Sequence, residues 1–461
     1  MNRREEAKGL NKDKPAGGTA LGCPFPRGAG GSNSFRIPAL ATLGDGTLVA
    51  AADARWNTTY DGGGLDTVTA FSRDGGKTWQ YQFANYLGDN GDVYNGAGST
   101  CFIDPALAVT ADDRVYMLAD LYPWGVALNG SGNTPPVRTR AFDDRGRLLL
   151  SGNNHESYDF YLENGSILTA DGEILPGWQV DGHFNLTGPE GEKTNLFFAD
   201  SPFQVVRTGF LYLTTSCDGG ESWSAPRLLD LKTDRELACL VAPGRALVTK
   251  DGTAVFPVYS FGGDNGPEGN SQRLGFVYSR DGMTWNRSDD FDHNWASESA
   301  VVELTTGDLR FFFRSGAKRL CYVDYNRVSH TWGKVVVTEN PVNSNCQLSA
   351  ISHSRTKDGK QVMLISCPTG PDEAGSSDCT GEARVNGKIF VGIAEPDGTM
   401  TWKEPFRVTK DNRQFLYSCM TELPGGDVAI LYENLATGWG TGPDCYYTMD
   451  FKIITAQQLG L

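Results

Sequence analysis

Ser72–Trp79 reads SRDGGKTW and Ser216–Trp223 reads SCDGGESW. A form one residue shorter, SRDGMTW, occupies Ser279–Trp285, and a worn one, DGTMTW, occupies Asp397–Trp402. An apolar strand precedes each: TVTAF, FLYLTT, LGFVY and IFVGI. In such a turn the aspartate accepts backbone N–H groups, glycine takes positive φ, and tryptophan packs against the sheet. The turn marks a scaffold built by repetition and performs no chemistry.

A second, independent repeat is a hairpin of two apolar strands about a tight turn. Its turns fall at Asp45-Gly46, Asp112-Asp113, Asp251-Gly252, Gly307-Asp308, Asp358-Gly359 and Gly425-Gly426. The returning strands are strongly apolar, as in LVAAADAR, VYMLADL and LRFFFRS. Successive turns lie about 50 to 70 residues apart, except for one gap near 140. The spacing predicts an all-β, six-bladed β-propeller over residues 33–461. The long gap, with YDFYLENGSILT and GEILPGWQV, predicts a small β-rich insertion in the second blade region, residues 129–199. Residues 1–32, charged and rich in Gly and Pro, read as a flexible leader.

Composition narrows the partners. The net charge of −15 argues against nucleic acid, which requires a basic footprint. No apolar run approaches the roughly 20 residues that cross a bilayer. No apolar signal segment precedes the repeats. A cytoplasmic protein is expected if the chain is complete as written, and a secreted or cell-surface one if a signal was trimmed. A monomer is favoured. Ten scattered cysteines without a CxxC pair favour buried free thiols over one or two disulfides. They argue against a zinc site, and no metal or other cofactor is implied. Asp89–Asp92 reads as a solvated loop rather than a calcium site.

A hairpin whose turn lies at one end brings its two open ends together at the other. The first unit opens at Arg36 and closes at Arg55, followed by Asp61. The second opens at Asp104 and closes at Tyr122, and the third closes at Tyr259. The fourth opens at Glu298 and closes at Arg314, and the fifth opens at Gln347. The last opens at Tyr417 and closes at Glu433. Ionisable groups in apolar strands are rarely buried unless paired. Blade-to-blade salt bridges would explain one pair, but several converging arginines repel unless an anion joins them. Arginine forks suit a carboxylate. Arg384 is placed to supply a third, with Arg407 and Arg413 as weaker candidates. The arrangement predicts a pocket for an acidic small molecule.

These residues resemble the sialidases, in particular the large clostridial and pneumococcal type. The resemblance rests on FRIP at Phe35–Pro38, the aspartate turns, and DAR with Asp61 six residues after its arginine. It continues through SESAVVEL with Arg314 and through YS and ILYE near the end. It implies that Arg36, Arg314 and Arg384 clamp the sialic acid carboxylate, with Glu433 supporting Arg36. It further implies Tyr417 as nucleophile, Glu298 as its base and Asp61 as acid, then base. Arg55 and Asp104 would bind the 4-hydroxyl, with Tyr122, Trp124, Tyr259 and Gln347 as candidates for the remaining contacts.

The implied activity is an exo-sialidase acting on sialylated oligosaccharides, glycoproteins or glycolipids. Alternatives are an intramolecular trans-sialidase releasing an anhydro sugar, for which Trp439 is a candidate for excluding water although it reads more readily as a packing residue, and a non-catalytic sialic-acid-binding propeller. An unrelated Asp-box propeller would lack FRIP and the arginine set.

Overall fold

The computed structural model describes residues 14–87, 99–128, 133–262, 272–291, 293, 296–342, 345–371 and 384–461. Asp89–Asp92 lies outside them. The described chain is essentially all β, with a single three-residue 3-10 turn at Ala29–Gly31.

The predicted hairpins form where their turn residues permit left-handed backbone. Gly46, Asp113, Gly252, Gly307, Gly359 and Gly425 all have positive φ. The aspartate turns are locked as their residue types require. Asp74 Oδ1 accepts the N–H groups of Lys77 and Thr78, and Ser72 Oγ accepts that of Gly76. Trp79 donates its indole N–H to Gly76 O and is fully buried.

The sheets pack as a propeller-like ring, each on its neighbour in sequence. The core between the fifth and last units, for example, joins Leu364 and Val391 to Ile430 and Tyr432. The ring closes where Cys419, Ala429 and Leu431 of the last unit join Leu40 and Ala50 of the first. Thr42 and Thr421 also share a hydroxyl hydrogen bond of 2.9 Å across that seam.

The expected count of six separate blades does not hold. Among the described residues there are four discrete blade sheets, three of five strands and one of three. The first two hairpin units instead merge into one ten-stranded sheet. Parallel pairing of Leu65 with Cys101 joins them, and Gly244 and Arg245 add along Ala106 and Leu107. A repeat pattern counts hairpins but carries no information about hydrogen bonding between neighbouring units.

A separate seven-stranded sheet, drawn from strands between Leu148 and Val205, occupies much of the long gap. It interrupts the second unit between Val115–Tyr122 and Phe210–Ser216, which pair directly.

The leader expectation also fails over its second half. Gly18–Leu21 pairs antiparallel with Thr78–Tyr81 as an edge strand, and Phe25 is buried against the first unit. Burial of one phenylalanine and a paired edge outweigh the Gly/Pro composition. The nine described cysteines are free thiols.

Candidate active site

The open ends of the hairpins surround a cavity of about 840 Å³. Two inner strands entering it, Ser34–Thr42 and Cys101–Val109, carry the same irregularity. Their pairing shifts register between Arg36 and Ala39 and between Ile103 and Ala106. Ile37 (φ 59°) and Asp104 (φ 61°) sit there in left-handed backbone, each directly before a proline. Both the side chain and the following proline disfavour that conformation, so the surroundings must enforce it. A buried carboxylate does so at each bulge. Glu433 Oε1 accepts the Ile37 N–H at 2.9 Å, and Asp53 Oδ1 accepts the Asp104 N–H at 3.1 Å.

Each of these carboxylates also fixes an arginine. Glu433 Oε1 accepts Arg36 Nε at 3.0 Å. Asp53 Oδ2 accepts Arg55 Nε at 3.3 Å and Nη2 at 2.8 Å. The remaining Nη1 of Arg55 donates to Thr59 O, Tyr60 O and Asp61 Oδ1, each at 2.9 Å. Arg55 is thus fully buried, engaged by protein at every nitrogen, and set back from the cavity. Expected as a ligand for a substrate hydroxyl, it is placed behind the cavity, where it holds the loop that carries Asp61.

Across the cavity, the Tyr417 phenol donates to Glu298 Oε1 at 2.5 Å. Arg314 Nη1 donates to Glu298 Oε2 at 2.6 Å and to the Tyr417 oxygen at 3.0 Å. Burial, then the neighbouring Glu298, pushes the Tyr417 phenol well above its ordinary range, against the pull of Arg314, Arg384 and Arg36. The resting tyrosine is therefore protonated. Its ring lies 4.8 Å from the Arg36 guanidinium and 5.4 Å from that of Arg384. Arg384 is steadied by Asn345 O, at 3.1 Å from Nε and 2.6 Å from Nη2.

Asp61 faces this group from the first unit. Its Oδ1 accepts from Arg55 Nη1 at 2.9 Å and from Arg36 Nη1 at 3.2 Å. Burial alone would raise its carboxyl, but Arg55 and then Arg36 hold it below the usual carboxylate range.

The structure thus brings Arg36, Asp61, Asp104, Tyr259, Glu298, Arg314, Arg384 and Tyr417 to one cavity, with Glu433 directly behind Arg36. Gln347 is likewise set apart from the cavity. It is buried, its amide N–H groups donated to Pro243 O and Ser418 O and its oxygen accepting Ser418 N–H. That glutamine pins the strand bearing Tyr417. Trp124 does not line the cavity, whereas Tyr122 does. Sequence reasoning missed Tyr447, whose ring lies 4.6 Å from the Arg36 guanidinium, and the buried carboxylates Asp53 and Asp120. The spacing in DAR held the signal for Asp53, because residues two apart share one face of a strand.

Asp120 accepts the Val241 N–H, yet burial pushes its carboxyl well above the ordinary carboxylate range. Its contribution to stability is therefore full below the unfolded value and is lost as pH rises through the folded one. Asp120→Asn keeps an acceptor and removes this titration. The Tm difference between variant and wild type should move in the variant's favour from about pH 5 to about pH 8. A difference independent of pH in thermal unfolding would contradict this.

A ring of sheets around a cavity that pairs arginines with a tyrosine–glutamate couple defines a β-propeller with an arginine-lined site. The chain belongs to the BNR repeat-like domain family, which matches residues 185–430. It is 28% identical over 463 residues to an anhydrosialidase from Macrobdella decora, covering 87% of this chain and 58% of that protein. It is 26% identical to sialidase B of Streptococcus pneumoniae, covering 87% of this chain and 62% of the relative. The chain thus spans about three fifths of the length of these curated relatives. Among solved structures, the intramolecular trans-sialidase from Ruminococcus gnavus, in complex with oseltamivir carboxylate, superposes with a TM-score of 0.80. That match has 27% identity and covers 95% of this chain and 98% of that one.

Proposed function

We propose that this chain cleaves terminal sialic acid from sialylated oligosaccharides, glycoproteins or glycolipids through a covalent intermediate on Tyr417. The observation that carries the reading is the Tyr417–Glu298 hydrogen bond of 2.5 Å, set among Arg36, Arg314 and Arg384.

Sialic acid bears its carboxylate on the anomeric carbon, where a carboxylate nucleophile would meet like charge. A phenol avoids that repulsion, and tyrosine-nucleophile sialidases are a recognised exception to two-carboxylate glycosidases. With an unperturbed pKa of about 10, raised further here, the phenol needs a base as it attacks. Glu298 takes that proton while the phenolic oxygen bonds to the anomeric carbon. Asp61 gives its proton to the departing glycosidic oxygen. In the second step Asp61 removes a proton from the incoming hydroxyl, the bond to Tyr417 breaks, and Glu298 returns the proton to the phenol. Two displacements give net retention. Asp104 and Tyr259, which line the same cavity, are proposed to contact the ring substituents.

Attack by water in the second step releases free sialic acid. A second reading, in which the sugar's own glycerol-chain hydroxyl attacks, is supported by Trp439. Trp439 lines the cavity while 52% exposed, and it packs edge-on to Tyr60, the neighbour of Asp61, at 5.3 Å. An indole at that position limits the approach of water from the mouth. The names of the Macrobdella decora and Ruminococcus gnavus relatives point the same way.

Incubation with 2,3- and 2,6-linked sialyllactose tests cleavage, and the mass of the released sugar separates the outcomes, since the anhydro product is lighter by one water. Release of neither sugar would overturn the proposal. Trp439→Ala is expected to raise the hydrolysed fraction of the product. An unchanged ratio would remove Trp439 from the control of water.

A further inference from the structure

The resting site poses a problem for acid catalysis. Asp61 must deliver a proton, yet two guanidinium groups converge on its Oδ1, Arg55 at 2.9 Å and Arg36 at 3.2 Å. These partners favour the carboxylate form. The two arginines are not equivalent. Arg55 is tied down by buried Asp53 and by two loop carbonyls, so nothing arriving in the cavity can reach it. Arg36 is fixed by Glu433 at Nε and by the faces of the Tyr417 and Tyr447 rings, and it lines the cavity with the Nη1 that pairs with Asp61.

We propose that Arg36 is shared between Asp61 and the substrate carboxylate, so that substrate binding draws Arg36 away from Asp61 and loads onto Asp61, from solvent, the proton it then delivers. The proposal rests on the sialic acid reading of the site. A carboxylate gripping the outer edge of the Arg36 fork competes for Nη1 with Asp61 Oδ1. Asp61 then loses one of two cationic partners and gains an anion nearby, and both changes favour its neutral form. One proton enters with one negative charge, so the net charge of the site is unchanged. Arg55 keeps its hydrogen bond and fixes the carboxyl group in position. Arg55 is on this view a positioning residue.

The other charged or titratable groups around Asp61 are Arg384, Asp53, Asp104 and the Cys101 thiol. Burial, then its acidic neighbours, push the Asp104 carboxyl well above its ordinary range, and burial likewise pushes up the Cys101 thiol. Burial pushes the Asp53 carboxyl up against the pull of Arg55, which makes Asp53 a competing proton acceptor beside Asp61. A variant that removes only the Asp61 titration separates the two.

The test is calorimetric titration of the full chain with 2-deoxy-2,3-dehydro-sialic acid, in buffers of different ionisation heat, from about pH 5 to about pH 8. Wild type should take up as much as about one proton on binding. Uptake should be largest between the free and bound values of Asp61 and vanish at higher pH. Asp61→Asn should bind the analogue with that uptake abolished. Binding with heat independent of buffer, or uptake that persists in Asp61→Asn, overturns the proposal alone. Failure of wild type to bind the analogue overturns the sialic acid reading and this proposal with it.

Discussion

Tyr417→Phe is expected to lose at least about three orders of magnitude in kcat while still binding a sialic acid analogue. The substitution removes one oxygen and leaves the ring, which is buried with Ile37 and Cys346. That oxygen donates to Glu298 and accepts from Arg314. When it is lost, Glu298 keeps its own ion pair with Arg314 at 2.6 Å, so no buried charge is stranded. The variant should therefore fold with Tm close to wild type, and the carboxylate clamp should keep its geometry. Turnover of an aryl sialoside and calorimetric Kd for the analogue, measured on one preparation, separate chemistry from binding. Turnover near wild type would remove Tyr417 as nucleophile and leave the cavity a binding site.

The difference between legible and illegible parts of this site has a physical basis. Arg36, Glu298 and Tyr417 stand out in sequence because each is a polar residue at the open end of an apolar hairpin. Their convergence follows once the hairpins form a ring. Arg55 has the same sequence signature but a different fate. Asp53 lies two residues earlier on the same strand face, and its buried carboxylate claims the guanidinium before any ligand can. Gln347 likewise sits at an open end, yet its amide is consumed by backbone groups of Pro243 and Ser418. Position at the mouth is readable from a repeat, whereas which partner saturates a side chain depends on contacts between units distant in sequence.

The same limit applies to the scaffold. The aspartate turns were readable because every bond in them is local. The merging of the first two units into one sheet was not, since it depends on Leu65 meeting Cys101 and Gly244 meeting Ala106. A related turn went unnoticed at Ser151–Ser157, where Asn153 replaces the aspartate and accepts the Ser157 N–H. Its amide oxygen accepts as a carboxylate oxygen would, so the turn needs an acceptor and not a charge.

Asp61→Asn should separate substrates by how much protonation their leaving groups need. Asparagine is close in size to aspartate and can still accept from Arg55 and Arg36, so the loop held by Thr59 O and Tyr60 O should stay in place. It cannot deliver a proton. A natural sialoside releases an alcohol whose oxygen must be protonated as the bond breaks, and loss of general acid catalysis costs about 10²–10⁴-fold. An aryl sialoside with a strongly acidic phenol leaves as its anion and needs little help, so its first step should slow far less. The variant should therefore show a much larger fall in kcat/KM for sialyllactose than for the activated substrate. With the activated substrate the second step should become limiting, because Asp61 is also the proposed base for the incoming hydroxyl. A burst of phenol followed by slow turnover would be its signature in stopped-flow measurements. Equal losses on both substrates would mean that Asp61 acts by positioning Arg36 and not by transferring a proton.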